Sequence, residues 1–378
     1  MARLSVILPT YNRAGLIGET LDSLLAQSRP VDELLVVDDG SSDGTADLIA
    51  GYGDKVRYLR KDNGGKASAL NLGLSEISGD YVWICDDDDL LEPDAAKRLA
   101  GALDADDGLG YCAGRHEDFT VHPESGEHEI KAPGYWRPSK PDELFPDLLD
   151  GCHIFQPGLV VRRSVYDAIG PFNADLTRSQ DYEMLLRISR RARGLLLRDR
   201  VFLHREHAGD RGSAKERFSA EQMTAKWIKF HRLIMEPLMA DLADEDLLPA
   251  SVWADPAHGA IRGRVARVKR ASIFARHMMW PEAAASFRRL AEQADLPFSD
   301  YEEGLISRST LSNFGAAPLY QDKNIRAAFQ DIKSVSPAGK RIVELLGRSM
   351  HWRAKDAVKA GAWGDALQIG RFAVAARI

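Results

Sequence analysis

The first hundred residues alternate short apolar runs with amphipathic segments, and this alternation limits the fold more than any other feature. Four apolar runs have the length and composition of buried strands, namely 4–8, 34–37, 56–59 and 81–85. Four segments carry apolar residues at helical spacing, namely 16–25, 45–52, 66–77 and 93–103. This order predicts a mostly parallel α/β sheet with helices on both faces.

Polar clusters follow three of these strands at their carboxyl ends. Residues 9–12 follow the first strand, Asp38 and Asp39 close the second, and Asp86 begins a run of four aspartates after the fourth. In open sheets of parallel strands, ligands bind beyond the carboxyl ends of the strands. The three clusters therefore predict a functional site at one edge of the sheet.

The remainder of the chain changes character twice. Residues 104–215 look irregular and are richer in glycine and proline, with a short strand near 159–161 and a helix over 179–191. From residue 216 onward, long helical patterns follow with few strand signals. We therefore predict an α/β domain over 1–215 and an α-helical domain over 216–378.

Composition narrows the class of protein. Hydrophobic residues make up 44% and charged residues 28%, which is typical of a globular protein. The net charge of −6 argues against nucleic acid as a partner. Cys85, Cys112 and Cys152 are too scattered for a disulfide framework or a zinc cluster. With neither a secretory signal nor a long apolar span, the sequence predicts a cytoplasmic protein, and leaves open peripheral contact with the inner face of a membrane.

The acidic run, defined as Asp86, Asp87, Asp88 and Asp89, points to a metal ion. Adjacent carboxylates at the end of a buried strand repel one another and need a counter-charge, for which a divalent cation is suited. Carboxylate oxygens favour hard ions such as Mg²⁺ or Mn²⁺. A solvated acidic loop without a ligand is the alternative interpretation.

The motifs jointly resemble those of family 2 glycosyltransferases, which have the GT-A fold. The resemblance covers residues 1 to about 215 and does not reach the C-terminal helical part. The matching stretches follow one another in the order and spacing of that family: 6–12, 37–45, 63–66, 69–71, 79–82, 86–89, 93–94, 170–172 and 180–182.

The resemblance implies a nucleotide site at the first two strand ends. Pro9, Thr10 and Tyr11 would line the pocket for the base, with Tyr11 against the base itself. Asp39 would bind the edge of the base, most often uracil in this family. Lys66 would lie near the nucleotide. A turn followed by a helix cap would use the same residue types around Asp39, so this segment alone leaves both interpretations open.

The resemblance also implies roles for the acidic run. Asp86 would face the ribose or a metal-bound water, and Asp87 would belong to the same nucleotide-binding set. Asp88 would ligate Mn²⁺ or Mg²⁺ together with the diphosphate. His207 would complete the metal shell, or else Arg205 would touch the diphosphate.

Asp181 would be the catalytic base. Family members usually carry Glu-Asp at this point, whereas this chain has Gln180 before Asp181. The metal would help a nucleotide diphosphate leave while Asp181 takes the proton of an attacking hydroxyl, so the reaction would invert the anomeric configuration in one displacement. An aspartate in the first turn of a helix is also favoured by the helix dipole alone.

The expected function is transfer of a sugar from a nucleotide donor, a UDP-sugar, to a saccharide, lipid-linked or other hydroxyl acceptor in bacterial polysaccharide or glycoconjugate assembly. A degenerate GT-A module that only binds partners is one alternative, and a sugar nucleotidyltransferase is another. The C-terminal helices could pack on the first domain, form a homo-oligomer or hold the acceptor. A basic stretch over 262–276 would be a solvated helix face, or else a contact for anionic lipid headgroups or a lipid-diphosphate acceptor.

Overall fold

The computed structural model describes residues 2–122, 124–141, 143–206, 220–295 and 297–377. The chain forms two units. The N-terminal unit comprises Met1–Phe145 and Cys152–Met223, and the C-terminal unit comprises Pro146–Gly151 and Thr224–Ile378. The predicted domain boundary after residue 215 falls outside the described residues and stays a prediction.

The N-terminal unit is a mixed, curled sheet with helices on both sides. Its strands are β1 Leu4–Thr10, β2 Glu33–Asp38, β3 Arg57–Arg60, β4 Tyr81–Ile84, β5 Leu90–Leu91, β6 Leu109–Val121, β7 His128–Pro133, β8 Leu159–Arg162 and β9 Arg193–Arg205. The helices up to this point of the chain are α1 Ile17–Leu25, α2 Thr45–Ala50, α3 Lys66–Glu76, α4 Ala95–Ala105, α5 Leu144–Leu148, α6 Arg163–Ile169 and α7 Gln180–Arg191.

Strands β3, β2, β1 and β4 form the parallel part of the sheet in that order, as the apolar runs predict. Every residue of β1 is buried, because helices cover both faces of the sheet here. Thr10 lies opposite Asp38 on β2, and Ile7 lies opposite Ile84 on β4. The carboxyl ends of these strands therefore meet at one edge, which confirms the predicted arrangement.

The other part of the sheet continues from β4 through β8, β6 and β9 to β5, and β7 pairs with β6. Four of its pairings are antiparallel, and β6 with β9 is parallel. The expected irregular structure over 104–215 is therefore wrong for β6 and β9, which have 13 residues each. Their charged and glycine-containing halves give a weak strand signal, and the hydrogen bonds between the two strands stabilise an extended conformation that local propensity does not favour.

The C-terminal unit is helical, as predicted. The helices of this part of the chain are α8 Ala220–Asp241, α9 Ala250–Ala254, α10 Arg262–Arg276, α11 Trp280–Gln293, α12 Asp300–Arg308, α13 Ala317–Gln321, α14 Lys323–Val335, α15 Pro337–Ser349, α16 His351–Lys359 and α17 Trp363–Arg377. Large side chains such as Trp280, Phe287 and Phe329 are buried in its core. Among the described residues, no helix combines the length and the apolar character needed to cross a bilayer.

The basic stretch over 262–276 forms α10, and three of its cations bind protein groups instead of facing solvent. Arg264 pairs with the fully buried Glu302, and the Lys269 ammonium lies 2.6 Å from the Asp150 carboxylate. Arg270 donates to two backbone carbonyls at the end of α8. Both interpretations given to this stretch from the sequence are therefore wrong for these three side chains, since internal partners already use their charge.

Candidate active site

The two aspartates at the end of β2 have different surroundings. Asp38 is fully buried, and its carboxylate accepts hydrogen bonds from the Ser41 backbone amide at 2.8 Å and the Tyr58 hydroxyl at 2.5 Å. Burial and the Asp38 charge raise the pKa of Tyr58 to about 12, so the phenol stays protonated and keeps donating. Asp38 therefore holds the turn that presents its neighbour Asp39 at the strand end.

Asp39 holds the loop that leads into α3. Its carboxylate accepts from the Lys61 ammonium at 2.7 Å, from the Gly64 amide at 2.9 Å and from the Gly65 amide at 2.7 Å. Gly65 has φ of 88°, a conformation that side chains disfavour, immediately before Lys66 begins the helix. A carboxylate offers about four acceptor positions, and donors from the described residues occupy three of them, which leaves one for a ligand such as a base edge.

The segment after β1 is fastened to the segment after β2. Asn12 adopts φ of 54°, and its side-chain oxygen accepts from the Ser42 amide at 2.7 Å. The Asn12 backbone amide donates to the Ser41 hydroxyl at 2.8 Å. Left-handed backbone at a residue other than glycine is strained and occurs preferentially at functional sites. The predicted base-pocket residues lead into this fixed segment: Pro9 and Thr10 are buried at the end of β1, and Tyr11, which follows them, is half-buried.

Lys66 and Arg13 contact carboxylates of the acidic run. Lys66 forms an ion pair with Asp86. Arg13 lies 3.6 Å from an Asp87 oxygen and 4.0 Å from an Asp88 oxygen. Arg13 is not among the site residues predicted from the sequence. Its place directly after the motif over 6–12 is the signal that could have indicated it.

The acidic run carries more negative charge than these cations balance. Burial, and then the Asp88 carboxylate, raise the pKa of Asp87 to about 7. Burial and the charges of Asp86 and Asp88 raise the pKa of Asp89 well above its usual value. One oxygen of Asp89 is buried without a hydrogen-bond partner among the described residues. This surplus of charge fits a divalent cation.

The described residues at this edge do not form a complete set of protein ligands for a metal ion. Within the part of the chain that the structure describes, no three His, Cys, Asp or Glu side chains are arranged to hold a metal ion. Mg²⁺ is usually held by one or two carboxylates together with substrate phosphates, so the acidic run suits an ion that arrives with a diphosphate. Asp88 and its neighbours would hold such an ion. The predicted ligand His207 lies outside the described residues.

Arg205 supports the acidic run from β9. It is 4% exposed, and its guanidinium donates to the Asp88 carbonyl at 2.7 Å and to Glu19 at 2.9 Å. Its backbone amide donates to the Asp89 carboxylate at 2.9 Å, and its cation lies 4.6 Å from the centre of the Phe119 ring. Protein groups thus bind this guanidinium, which gives Arg205 a positioning role that the sequence did not indicate.

Asp181 lies in the first turn of α7, as predicted, and its surroundings connect it to the acidic run. Ser179, two residues before Asp181, has φ of 56°, so a left-handed backbone conformation occurs here as it does at Asn12. Burial lowers the pKa of Lys66, but the charges of Asp86 and then Asp181 outweigh it, and the pKa rises. The ammonium that pairs with Asp86 is therefore also within range of the Asp181 charge, although the two carboxylates are far apart along the chain.

Similarity to known proteins fits this geometry. The model for glycosyl transferase family 2 matches residues 5–170. Residues 5–170 are a glycosyl transferase family 2 domain. An uncharacterized glycosyltransferase of Rickettsia typhi is 33% identical over 194 residues, which is 50% of this chain and 58% of the relative. The chondroitin synthase of Pasteurella multocida is 31% identical over 192 residues, covering 49% of this chain and 19% of the synthase. The chain thus matches less than two thirds of these relatives.

Solved structures share the fold of the family 2 domain. The crystal structure of Staphylococcus aureus TarS 1–349 in complex with UDP-GlcNAc aligns with a TM-score of 0.51 and 19% identity, over 90% of each chain. Another TarS structure aligns with a TM-score of 0.52 and 18% identity, over 87% of this chain and 53% of TarS. At such identities the likeness shows the fold alone.

Proposed function

We propose that the chain is an inverting glycosyltransferase that uses a nucleotide sugar and a divalent cation, with Asp181 as the general base. The observation that supports this most is the ion pair of Lys66 with Asp86, because the charge of Asp181 also acts on this ammonium. A carboxylate on the diphosphate side and a carboxylate that serves as the base on the acceptor side would then lie within one site. Such a pair is what a single displacement at the anomeric carbon needs.

The donor half of the site follows from the strand ends. Asp39, with its remaining acceptor position, binds the edge of the base, beside Pro9, Thr10 and Tyr11. Asp86 and Asp87 face the ribose and diphosphate, and Arg13 and Lys66 supply positive charge to the phosphates. A bound Mg²⁺ or Mn²⁺ at Asp88 would neutralise charge on the leaving diphosphate.

The nucleotide is assigned to uridine by resemblance. Family 2 enzymes resembling this chain most often take uracil at the position of Asp39, and the TarS structure with the same fold was determined with UDP-GlcNAc. Fold analogy narrows the donor to a nucleotide sugar and favours UDP. The acceptor hydroxyl would belong to a growing polysaccharide or glycoconjugate.

The reaction can be followed as UDP released from a UDP-sugar, with water as the acceptor where no saccharide is supplied. We expect Asp181→Asn to lower this rate by about 10²–10⁴-fold, the usual contribution of a general base. UDP affinity should change by less than about threefold, since the base acts on the acceptor. Asp175→Asn removes an exposed carboxylate six residues away and serves as the matched control.

The same assay separates the alternatives. A degenerate binding module would bind UDP yet release none from any UDP-sugar, and Asp181→Asn would change nothing. A sugar nucleotidyltransferase would make UDP-sugar from UTP and a sugar phosphate instead. Wild-type rates in Asp181→Asn would show that the base lies elsewhere.

A further inference from the structure

Aromatic side chains gather on two segments of the N-terminal unit. We call the set Tyr135, Trp136, His153 and Phe155 the aromatic shelf. The His153 ring lies 6.3 Å from the Tyr135 ring and 6.4 Å from the Trp136 ring, between centroids. Tyr135 is 62% exposed and Phe155 is 37% exposed. Large aromatic side chains that stay exposed at a functional edge mark a binding surface.

The sheet places the aromatic shelf at the edge that carries the acidic run. Strand β8 begins at Leu159 and runs antiparallel to β4, so the residues just before β8 lie where β4 ends. The Trp83 indole on β4 fixes this segment by donating to the Pro157 carbonyl at 2.8 Å. At the near end of the segment, burial and then the charge of Asp181 raise the pKa of Cys152 to about 12. The segment that carries His153 and Phe155 therefore begins at a residue on which the charge of Asp181 acts.

The other side of the shelf rests on β6 and β9. The Phe155 ring packs against the His116 ring at 4.5 Å and against the His204 ring at 5.6 Å. His204 is itself held by Asp118, with 2.9 Å between the ring nitrogen and the carboxylate. A Cβ on Gly134 would clash with the His116 ring, so only glycine permits this packing just before Tyr135. The Phe155 ring is thus held in place by its neighbours on β6 and β9.

Unpaired polar groups lie next to the shelf and next to the proposed base. The side-chain oxygens of Gln156 and Gln180 are buried and have no hydrogen-bond partner among the described residues, and each residue is only 7% exposed. A buried amide oxygen is unfavourable without a hydrogen-bond donor, so each of these oxygens could accept a hydrogen bond from a ligand. Gln156 directly follows Phe155, and Gln180 directly precedes Asp181.

We propose that the aromatic shelf, with Gln156 and Gln180, is the acceptor subsite and that it binds a saccharide. A pyranose presents a flat face of C–H groups, which packs on an aromatic ring, and a rim of hydroxyls, which donate to amide oxygens. A lipid chain would satisfy the rings and leave both amides unpaired. This inference rests on the proposed glycosyltransferase function and specifies the class of its acceptor.

The test measures saccharide binding to the full chain by saturation-transfer NMR, with UDP and Mn²⁺ present. The probes are linear tetrasaccharides of glucose, of N-acetylglucosamine and of mannose. We expect at least one to bind, and Tyr135→Ala and Phe155→Ala each to weaken it by about two- to tenfold, the usual worth of a ring contact. Trp363→Ala removes a ring that is 68% exposed in the C-terminal unit and should leave binding unchanged.

The outcomes separate this inference from the proposed function. Equal saccharide binding in wild type and both shelf variants would overturn the shelf as the subsite, and so would the absence of binding by all three probes. UDP binding, measured by calorimetry on the same samples, should be unchanged in the shelf variants. Loss of UDP binding in the wild type would instead overturn the donor assignment, and the saccharide result would still decide the shelf.

Discussion

Replacing Asp87 with asparagine should stabilise the protein, and the gain should grow with pH. The side chain is 13% exposed beside Asp88, and burial together with that neighbour opposes its ionisation. An asparagine side chain at this position would keep the shape of the carboxylate but remove its charge. An ordinary surface aspartate differs, because its replacement changes stability little at any pH.

The magnitude follows from the pKa of Asp87, which rises from 3.8 to about 7 on folding. The folded state binds the proton more tightly than the unfolded state, so the carboxyl contributes stability at low pH that is lost as the pH rises from about 4 to about 7. At about 1.36 kcal/mol per pKa unit, the loss approaches about 4 kcal/mol, of which about 3 kcal/mol falls between pH 5 and pH 8. Losing the Arg13 pair offsets at most about 1 kcal/mol.

Thermal unfolding of both proteins at pH 5 and pH 8, without divalent metal, measures this directly. For a domain of this size, 1 kcal/mol shifts Tm by about 2–4 °C, so the gain in Tm from Asp87→Asn should be larger at pH 8 by about 5–10 °C. The control is Asp199→Asn, which also removes a carboxylate paired with an arginine but is 54% exposed. Equal shifts of Tm at both pH values, or a loss of stability at pH 8, would refute the reasoning.

Three further changes test other contacts. Lys66→Met should weaken UDP binding in calorimetry by about tenfold, because a charge-assisted contact is lost, whereas the exposed Lys97→Met should not. Arg205→Met should lower the free energy of unfolding by at least about 2 kcal/mol, and an unchanged melting curve would refute its positioning role. Lys269→Met should destabilise the C-terminal unit by about 3–5 kcal/mol in urea, and adding Asp150→Leu should restore most of it.

The parallel strands could be read from the sequence because burial on both faces demands continuous apolar runs. The meeting of Thr10 and Asp38 at one edge then follows from parallel pairing, and the structure confirms it. The match over 5–170 also confirms the family that these motifs resemble. Local sequence was sufficient here because each strand carries its own signal.

Contacts between distant segments could not be read in the same way. The sequence offers Arg205 as a contact for diphosphate, but its side chain is buried and donates to the Asp88 carbonyl. The pairing of β9 with its neighbouring strands brings it there. Arg264 and Lys269 looked like a solvated or lipid-facing helix, yet Glu302 and Asp150 neutralise them. A charge pattern on one helix does not reveal which partners the rest of the fold supplies.

The most direct test of the strand-end carboxylates as a nucleotide-diphosphate site is calorimetric titration of UDP and GDP. Each nucleotide would be titrated with Mn²⁺ and with a chelator into wild type, Asp88→Ala and the Asp199→Asn control. We predict that UDP binds with Mn²⁺, and that binding weakens by at least about tenfold with chelator and in Asp88→Ala, since a carboxylate ligand to the ion is lost. UDP binding that is indifferent to metal and to Asp88, or no binding of either nucleotide, would contradict this assignment.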